Sequence, residues 1–214
     1  MDRHEIKFIL SKNQKAVLQS RLSAVMEKDS HSEKDGTYTV RSLYFDTYDL
    51  SCYNDSVSGV GIRKKYRLRT YNNDITLINR EIKEREYNVT RKLTQTVDTS
   101  TVENILSGST GFNGIPLLQP VCICEYKREA YVSEPFDLRI TFDTNITASF
   151  ECEKFLSDDY FGIPIMPDEM ILMEIKYTDF IPDYVMKILN IGEMDRSSFS
   201  KYCKSIDTIK AFTR

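Results

Sequence analysis

Residues 62–71 read Ile62-Arg-Lys-Lys-Tyr-Arg-Leu-Arg-Thr-Tyr71, and basic side chains recur in them at every second position. Successive side chains of a β-strand point to opposite faces of its sheet. One face of such a strand therefore carries only cations, which are Arg63, Lys65, Arg67 and Arg69. Like charges at this spacing repel one another unless an anion lies among them. The stretch predicts a strand with one apolar face and one face suited to a bound anion.

The tripeptide Glu-Ile-Lys occurs three times, at residues 5–7, 81–83 and 174–176. In a strand, its acid and its base share one face, and its isoleucine lies on the other. The tripeptides fall within predicted strands that are rich in β-branched or aromatic residues and bounded by turn-forming residues. These strands are 3–10, 37–46, 62–71, 75–86, 89–95, 119–132, 136–147 and 169–178. Their alternation fits either a sheet with one solvated face or a closed barrel whose charged faces line a shared interior.

Helices are fewer than strands. Ser11 is placed to cap a helix over 12–27, with a buried stripe of Val17, Leu18, Leu22, Val25 and Met26. The other predicted helices follow Ser100, which has capping-box spacing with Glu103, then Pro182, and finally Ser197 or Ser198. No linker rich in Pro, Gly and Ser divides the chain, so we predict one domain over residues 1–214.

Composition excludes several classes of protein. The chain has 214 residues, of which 41% are hydrophobic and 29% charged, as in ordinary globular proteins. A net charge of −3 gives no general reason to expect binding to nucleic acid or an anionic membrane. No apolar run approaches the roughly 18 residues that span a bilayer, and the charged N-terminus does not resemble a signal peptide. We therefore expect a cytoplasmic protein without a membrane span.

The cysteines and histidines indicate which metal chemistry to expect. The five cysteines are odd in number and show no Cys-x-x-Cys pair, which is typical of reduced thiols. The two histidines are most simply surface residues. A metal site would therefore use carboxylates, which favour Mg²⁺ or Mn²⁺.

A basic interior fits an extended chain of phosphates. Arginine binds phosphate oxygens in pairs, and lysine meets them as a point charge. Glutamates beside phosphate are unfavourable unless a divalent cation lies between them. The repeated tripeptide therefore predicts an inward acid for metal and an inward base for phosphate.

Eight segments, in order along the chain, carry a resemblance to a known family. They are Arg3-His-Glu-Ile-Lys-Phe8, Ser42-Leu-Tyr-Phe-Asp-Thr47, Arg63-Lys-Lys-Tyr-Arg-Leu-Arg-Thr-Tyr71, Glu81-Ile-Lys83, Glu125-Tyr-Lys-Arg-Glu-Ala-Tyr131, Arg139-Ile-Thr-Phe-Asp143, Met173-Glu-Ile-Lys-Tyr177 and Phe199-Ser-Lys-Tyr202. Over nearly its whole length the sequence resembles the VTC domain of polyphosphate polymerases, in the triphosphate tunnel metalloenzyme superfamily. The resemblance implies an α+β, mainly β fold: an eight-stranded antiparallel tunnel barrel with flanking helices. It also implies transfer of the ATP γ-phosphate onto a growing polyphosphate chain with Mn²⁺ or Mg²⁺.

The resemblance assigns roles to individual residues. Catalytic positions that contact phosphate are Lys7, Arg67, Arg69, Lys83, Arg139 and Lys201. Further substrate-binding candidates are Arg3, Arg63, Lys65, Lys92, Arg128 and Lys176, together with Tyr44, which is otherwise a packed strand tyrosine. Glu174 matches the metal-binding glutamate, and Glu5 and Glu81 of the other tripeptides are additional metal candidates.

Three functions are compatible with this sequence. A polymerase needs cations for a phosphate chain and a metal glutamate. A tunnel triphosphatase, in which water is the acceptor, is expected to need more carboxylates than these faces show. A binding module for polyphosphate or other polyanions would keep the cations but needs no metal glutamate. The chain departs from the larger eukaryotic members in lacking an N-terminal regulatory domain and C-terminal membrane spans, so the resemblance does not extend to coupling of synthesis with transport.

Overall fold

The computed structural model describes residues 4–87 and 89–212, and it shows a mainly β protein with antiparallel pairing and helices. The strands are β1 (His4–Ser11), β2 (Glu27–Lys28), β3 (Thr37–Asp46), β4 (Ile62–Tyr71), β5 (Ile78–Glu86), β6 (Val89–Val97), β7 (Gln119–Ser133), β8 (Leu138–Ser149), β9 (Ile163–Pro164), β10 (Met170–Tyr177) and β11 (Asp195–Arg196). The helices are α1 (Lys12–Leu22), α2 (Ser51–Val57), α3 (Thr99–Leu106), α4 (Asp183–Leu189) and α5 (Lys201–Phe212).

The strands follow the order β11-β1-β10-β8-β7-β3-β4-β5-β6, while β2 pairs with β7 and β9 pairs with β8. The pairs β1–β10, β10–β8, β3–β4, β4–β5 and β5–β6 are antiparallel. Within the described ranges the order ends at β11 and β6, and no pairing joins these two strands. The eight-stranded closed barrel is therefore not confirmed, although the mainly β class is.

The chain divides into two compact units. Unit 1 comprises the described residues of Met1–Tyr38, Tyr126–Ile146 and Met166–Phe199, and unit 2 those of Thr39–Glu125, Thr147–Ile165 and Ser200–Arg214. Because each unit takes three separate segments, no linker composition marks a boundary in the sequence. The single domain over 1–214 stays a prediction.

Helix α1 of unit 1 begins as predicted and ends early. The backbone N–H of Gln14 donates to the Ser11 hydroxyl at 3.2 Å, and the Ser11 N–H donates to the Gln14 side chain at 2.8 Å. This capping box satisfies two amide groups of the first turn. The helix stops at Leu22 instead of residue 27, so Val25 leaves the helical stripe and is 42% exposed. Of the predicted stripe, Leu18, Leu22 and Met26 are buried.

The helices of unit 2 differ from the predictions at their N-termini. The cap of α3 is Asp98 and not Ser100, because Asp98 accepts the Thr101 N–H at 2.8 Å. Helix α5 begins at Lys201 and not near Ser197. Helix α2 was not predicted, and the buried Asp46 carboxylate accepts two of its first backbone N–H groups. All five cysteines are buried, free thiols.

Candidate functional site

Two of the three Glu-Ile-Lys tripeptides lie directly opposite each other in unit 1. In the antiparallel pair of β1 and β10, Glu5 faces Lys176, Ile6 faces Ile175, and Lys7 faces Glu174. Read in opposite directions, the tripeptide is complementary to itself, because each acid meets a base and isoleucine meets isoleucine. Cross-strand pairs of opposite charge stabilise a sheet. Antiparallel pairing of these two strands accounts for two of the three copies.

Glu174 is the centre of the charged cluster in unit 1. Its side chain is buried, and Lys176 donates to its Oε2 at 2.9 Å. The Lys7 Nζ lies 3.5 Å from Glu174 Oε1 and 3.2 Å from Glu5 Oε1. Burial lowers the pKa of Lys176 to about 8, although Glu174 and Glu5 act in the opposite direction.

Two arginines complete this cluster, the buried Arg128 and the half-buried Arg139. Arg128 donates to both carboxylate oxygens of Asp143 at 2.7 Å, and its Nη2 lies 3.6 Å from Glu174 Oε2. Arg139 forms an ion pair with Asp29, and its Nη2 donates to the Tyr38 hydroxyl at 2.6 Å. The unit 1 cluster is thus four cations (Lys7, Arg128, Arg139, Lys176) and four carboxylates (Glu5, Asp29, Asp143, Glu174). Its formal charges cancel.

The third tripeptide lies in unit 2 and has no such complement. On β5, Lys83 faces Lys65 of β4 and Lys92 of β6, while Arg85 faces Arg63. We call this common face of β4, β5 and β6 the cationic face. It carries seven basic residues, which are Arg63, Lys65, Arg67, Arg69, Lys83, Arg85 and Lys92. Its acidic residue is Glu81, so basic residues exceed acidic ones on this face by six.

The repulsion on the cationic face is visible at Arg63. Burial and the neighbouring Arg85 lower the pKa of the Arg63 guanidinium. Like charges directly opposite each other destabilise a sheet. Rows of like charge would destabilise a sheet whose face contacts only solvent. The pairing of basic residues across β4, β5 and β6 therefore favours a face that binds an anion.

Glu81 is almost completely buried, with 1% of its surface exposed. Its Oε2 lies 2.5 Å from Arg67 Nε and 3.9 Å from Arg69 Nη1, and its Oε1 lies 2.6 Å from Lys92 Nζ. Burial by itself raises the pKa of this carboxyl, but Arg67, Arg69 and Lys92 outweigh that effect and lower it to about 2. The carboxylate is an anion that the chain itself places among the repelling cations.

Other predicted site residues have identifiable surroundings. Lys7 also donates to the Phe199 carbonyl at 2.9 Å, Lys65 donates to Ser200 Oγ at 2.8 Å, and Arg69 donates to Ser42 Oγ at 3.0 Å. Lys201 is buried at the start of α5. Tyr44 is buried, and its ring centroid lies 5.1 Å from that of Tyr202, as expected for a packed strand tyrosine. Arg3 lies outside the described residues.

Four charged or polar members of these clusters received no site role from the sequence. Asp29 and Tyr38 contact Arg139, Asp143 pairs with Arg128, and Arg85 extends the cationic face. Strand alternation places Asp143 and Arg85 on the predicted charged faces, with Arg139 and with Lys83. Asp29 follows the two-residue strand β2 and has no periodicity to identify it.

Comparison with known proteins identifies the family. The model of the VTC domain matches residues 2–115 and 115–210. This chain belongs to the VTC domain family. The VTC domain is part of the triphosphate tunnel metalloenzyme superfamily, so the resemblance predicted from the eight segments is confirmed. No curated protein matches the sequence.

A solved structure of another protein has a similar fold. A candidate adenylate cyclase from Vibrio parahaemolyticus aligns with a TM-score of 0.56 and 12% identity, covering 97% of this chain and 98% of its own. A second candidate adenylate cyclase, from Bacillus halodurans, has a TM-score of 0.48 and 13% identity, covering 100% of this chain and 92% of its own. Such low identity relates folds and not activities. No helix in the described part of the VTC domain has the length and apolar character to cross a membrane.

The superfamily uses divalent metals, and the carboxylates of the VTC domain differ in how well they suit one. Among the residues that the structure describes, no group of three or more His, Cys, Asp and Glu side chains is arranged to hold a metal ion. Mg²⁺ is commonly held by one or two carboxylates, with phosphate oxygens and water completing its shell. Glu5 and Glu174, which both contact Lys7, fit that mode. Glu81 fits it less well, because a cationic nitrogen lies within 2.6 Å of each of its oxygens, whereas Glu174 Oε1 lies 3.5 Å from Lys7 Nζ.

Proposed function

We propose that this VTC domain is a metal-dependent polyphosphate polymerase that transfers the γ-phosphate of ATP onto a growing polyphosphate chain. The observation that supports this proposal most is the excess of six basic residues on the cationic face. The basic row from Arg63 to Arg69 extends over about 20 Å at the usual rise of a strand. A surface of that length and charge is suited to a chain of phosphates and exceeds what one orthophosphate requires.

The residues of unit 2 bind and orient phosphate in this proposal. Arg67 and Arg69 hold phosphate oxygens through paired N–H donors, and Lys83 and Lys201 neutralise charge as single donors. A terminal phosphate oxygen of the acceptor attacks the γ-phosphorus in line, the bond to the β-phosphate oxygen breaks, and ADP leaves. Positioning and charge neutralisation account for such catalysis without a side-chain nucleophile.

The residues of unit 1 supply the metal ligands in this proposal. Glu174 and Glu5 would hold Mn²⁺ or Mg²⁺, and the bound cation would neutralise charge on phosphate oxygens. Lys7, Lys176 and Arg128 contact Glu174, and Lys7 also contacts Glu5, so these cations hold the orientation of the two carboxylates. The formal charges of the unit 1 cluster cancel. We therefore expect phosphate binding at this cluster to depend on metal more strongly than phosphate binding at the cationic face does.

A tunnel triphosphatase is the second candidate, and one structural observation favours it. The unit 1 cluster contains four carboxylates, of which Glu5 and Glu174 are the predicted metal ligands and Asp29 and Asp143 are additional. Carboxylates are the groups that position metal and attacking water in hydrolysis. In this alternative water replaces the phosphate acceptor, and ATP yields ADP and orthophosphate.

The products formed from ATP distinguish these functions. The chain is incubated with ATP and Mn²⁺ or Mg²⁺, and the inorganic products are resolved by length on a gel. We expect a ladder of polyphosphates that is absent with the Glu174→Gln variant. Orthophosphate alone identifies the triphosphatase. No turnover with either metal, together with binding of polyphosphate, identifies a binding module.

A further inference from the structure

Glu81 has an environment unlike that of a metal ligand. It is the acid of the third Glu-Ile-Lys tripeptide, yet its neighbours across β4 and β6 are Arg67 and Thr94. The two other tripeptide glutamates each face a lysine of the opposing tripeptide. Glu81 instead lies on a face where the basic residues are in large excess.

The contacts of Glu81 resemble those that a phosphate group would make. One carboxylate oxygen lies 2.5 Å from Arg67 Nε, and the other lies 2.6 Å from Lys92 Nζ. Arg67 donates a charge-assisted hydrogen bond to the first oxygen, and Lys92 forms an ion pair with the second. With a side chain 1% exposed, this carboxylate is held within the cationic face by packing and does not swing freely into solvent.

We propose that Glu81 is a built-in counter-ion that neutralises part of the cationic face when phosphate is absent and limits its affinity for polyphosphate. This inference rests on the proposed function of that face. A bound phosphate chain competes with Glu81 for Arg67 and Lys92, and it is repelled by the buried carboxylate that stays beside it. An affinity limited in this way suits a polymerase, because the polyphosphate must move along the cationic face after each phosphate is added.

The counter-ion and the metal-ligand roles lead to opposite expectations when metal is present. Without metal, removal of either kind of carboxylate takes a negative charge from beside phosphate, so phosphate binds more tightly in both cases. With Mg²⁺, loss of a metal ligand weakens phosphate binding, whereas loss of a counter-ion still tightens it. Binding measured in EDTA and again with Mg²⁺ therefore separates the two roles without any need for turnover.

The experiment measures the affinity of the full chain for polyphosphate of defined length in EDTA and again with Mg²⁺, for the parent and three variants. Glu81→Gln removes the charge, and Glu81→Asp retains it. Glu84→Gln is the matched control, because Glu84 lies on the opposite face of β5 and pairs with Lys64 at 3.1 Å. We expect Glu81→Gln to lower the Kd about tenfold, as one unit charge at close range allows. Glu81→Asp and Glu84→Gln should remain within about twofold of the parent.

The possible results distinguish failure of the counter-ion role of Glu81 from failure of the proposed function. Unchanged or weaker binding by folded Glu81→Gln in EDTA or with Mg²⁺, with normal binding by the parent, overturns the counter-ion role alone. Failure of the parent to bind polyphosphate overturns the proposed function of the face. If Glu81→Gln melts below the assay temperature, its melting is measured with added tripolyphosphate. A larger rise in melting temperature than in the parent supports the inference, and an equal or smaller rise contradicts it.

Discussion

Lys7 and Glu174 lie directly opposite each other in the antiparallel pair of β1 and β10, with 3.5 Å between Nζ and Oε1. More than 160 residues of sequence separate them, yet each belongs to a copy of the same tripeptide. The same Lys7 Nζ also contacts Glu5, so one lysine connects two carboxylates that suit a divalent cation. This relationship makes Glu174 the residue whose substitution is most informative.

Glu174→Gln should abolish metal-dependent turnover and leave polyphosphate binding in place. A neutral amide is a much poorer ligand for a hard divalent cation than a carboxylate. Turnover is measured over a Mn²⁺ titration, and polyphosphate affinity is measured on the same variant. The control is Glu169→Gln, an exposed acid just before β10 that pairs with Lys12.

The contrary outcome for Glu174 is equally specific. If Glu174 only orients Lys176 and Lys7, the variant loses phosphate affinity together with activity, and added metal restores neither. Unchanged turnover at ordinary metal concentrations removes Glu174 from the site.

Arg67→Ala should lower the melting temperature, because it removes the shortest contact of the buried Glu81 carboxylate. Breaking one partner of a buried ion pair costs about 3–5 kcal/mol when no other cation is near. Arg69 and Lys92 remain here, so we expect a loss of about 1–3 kcal/mol. Arg69→Ala should cost less, since its Nη1 lies 3.9 Å from Glu81.

Thermal denaturation of the free protein tests this difference. Arg91→Ala is the control, because Arg91 is exposed and lies across from Glu84 on the other face of β6. Equal melting of Arg67→Ala and the parent would show that Glu81 does not depend on Arg67.

The local alternation of the sequence predicted the strands well. Strands 37–46 and 62–71 have the bounds of β3 and β4, because period-two alternation ends there at turn-forming residues. Helix α2 was not predicted because its seven residues contain no apolar stripe. Its first turn is also capped by Asp46, which accepts a backbone N–H from Cys52 and lies outside the helix.

The sequence predicted which face of its strand each candidate site residue occupies, but not which residue it contacts on the neighbouring strand. Strand parity correctly placed Arg67, Lys83 and Glu81 on one face. Parity does not say which strands become neighbours, so it did not reveal that two tripeptides pair with each other while the third meets basic strands. Parity also did not show that the chain's own Glu81 would supply an anion to the cationic row at Arg67.

The stability of the parent should fall in acid because of Glu81. Its pKa in the folded state is about 2, against an ordinary value of 4.5. A carboxyl with a depressed folded pKa stabilises the protein fully above pH 4.5, and this contribution is lost as the pH falls toward 2. The full difference corresponds to a contribution on the order of 3 kcal/mol.

Urea unfolding at a series of pH values between 6 and 3 measures this effect. Glu81→Gln should lose less stability over that range than the parent does, because it has no carboxyl to protonate. Parallel pH profiles for the two proteins would contradict the depressed pKa.

Lys83→Ala should weaken polyphosphate binding and reduce its salt dependence. Lys83 lies between Lys65 and Lys92, so its removal takes one charge from the middle of the cationic face. Binding is measured in EDTA over a range of salt concentrations. Lys64→Ala, on the opposite face of β4 and paired with Glu84, should change neither quantity. Equal effects of the two variants would mean that polyphosphate does not bind this face.

Phosphorus NMR of the reaction tests the central claim most directly, because it follows ATP, ADP, orthophosphate and chain phosphates in one sample. With Mn²⁺ replaced by diamagnetic Mg²⁺, we expect signals of internal chain phosphates to grow in step with ADP. Glu174→Gln should produce neither signal. Formation of ADP with only orthophosphate, and no internal chain phosphate at any time, would contradict the assignment of this VTC domain as a polyphosphate polymerase.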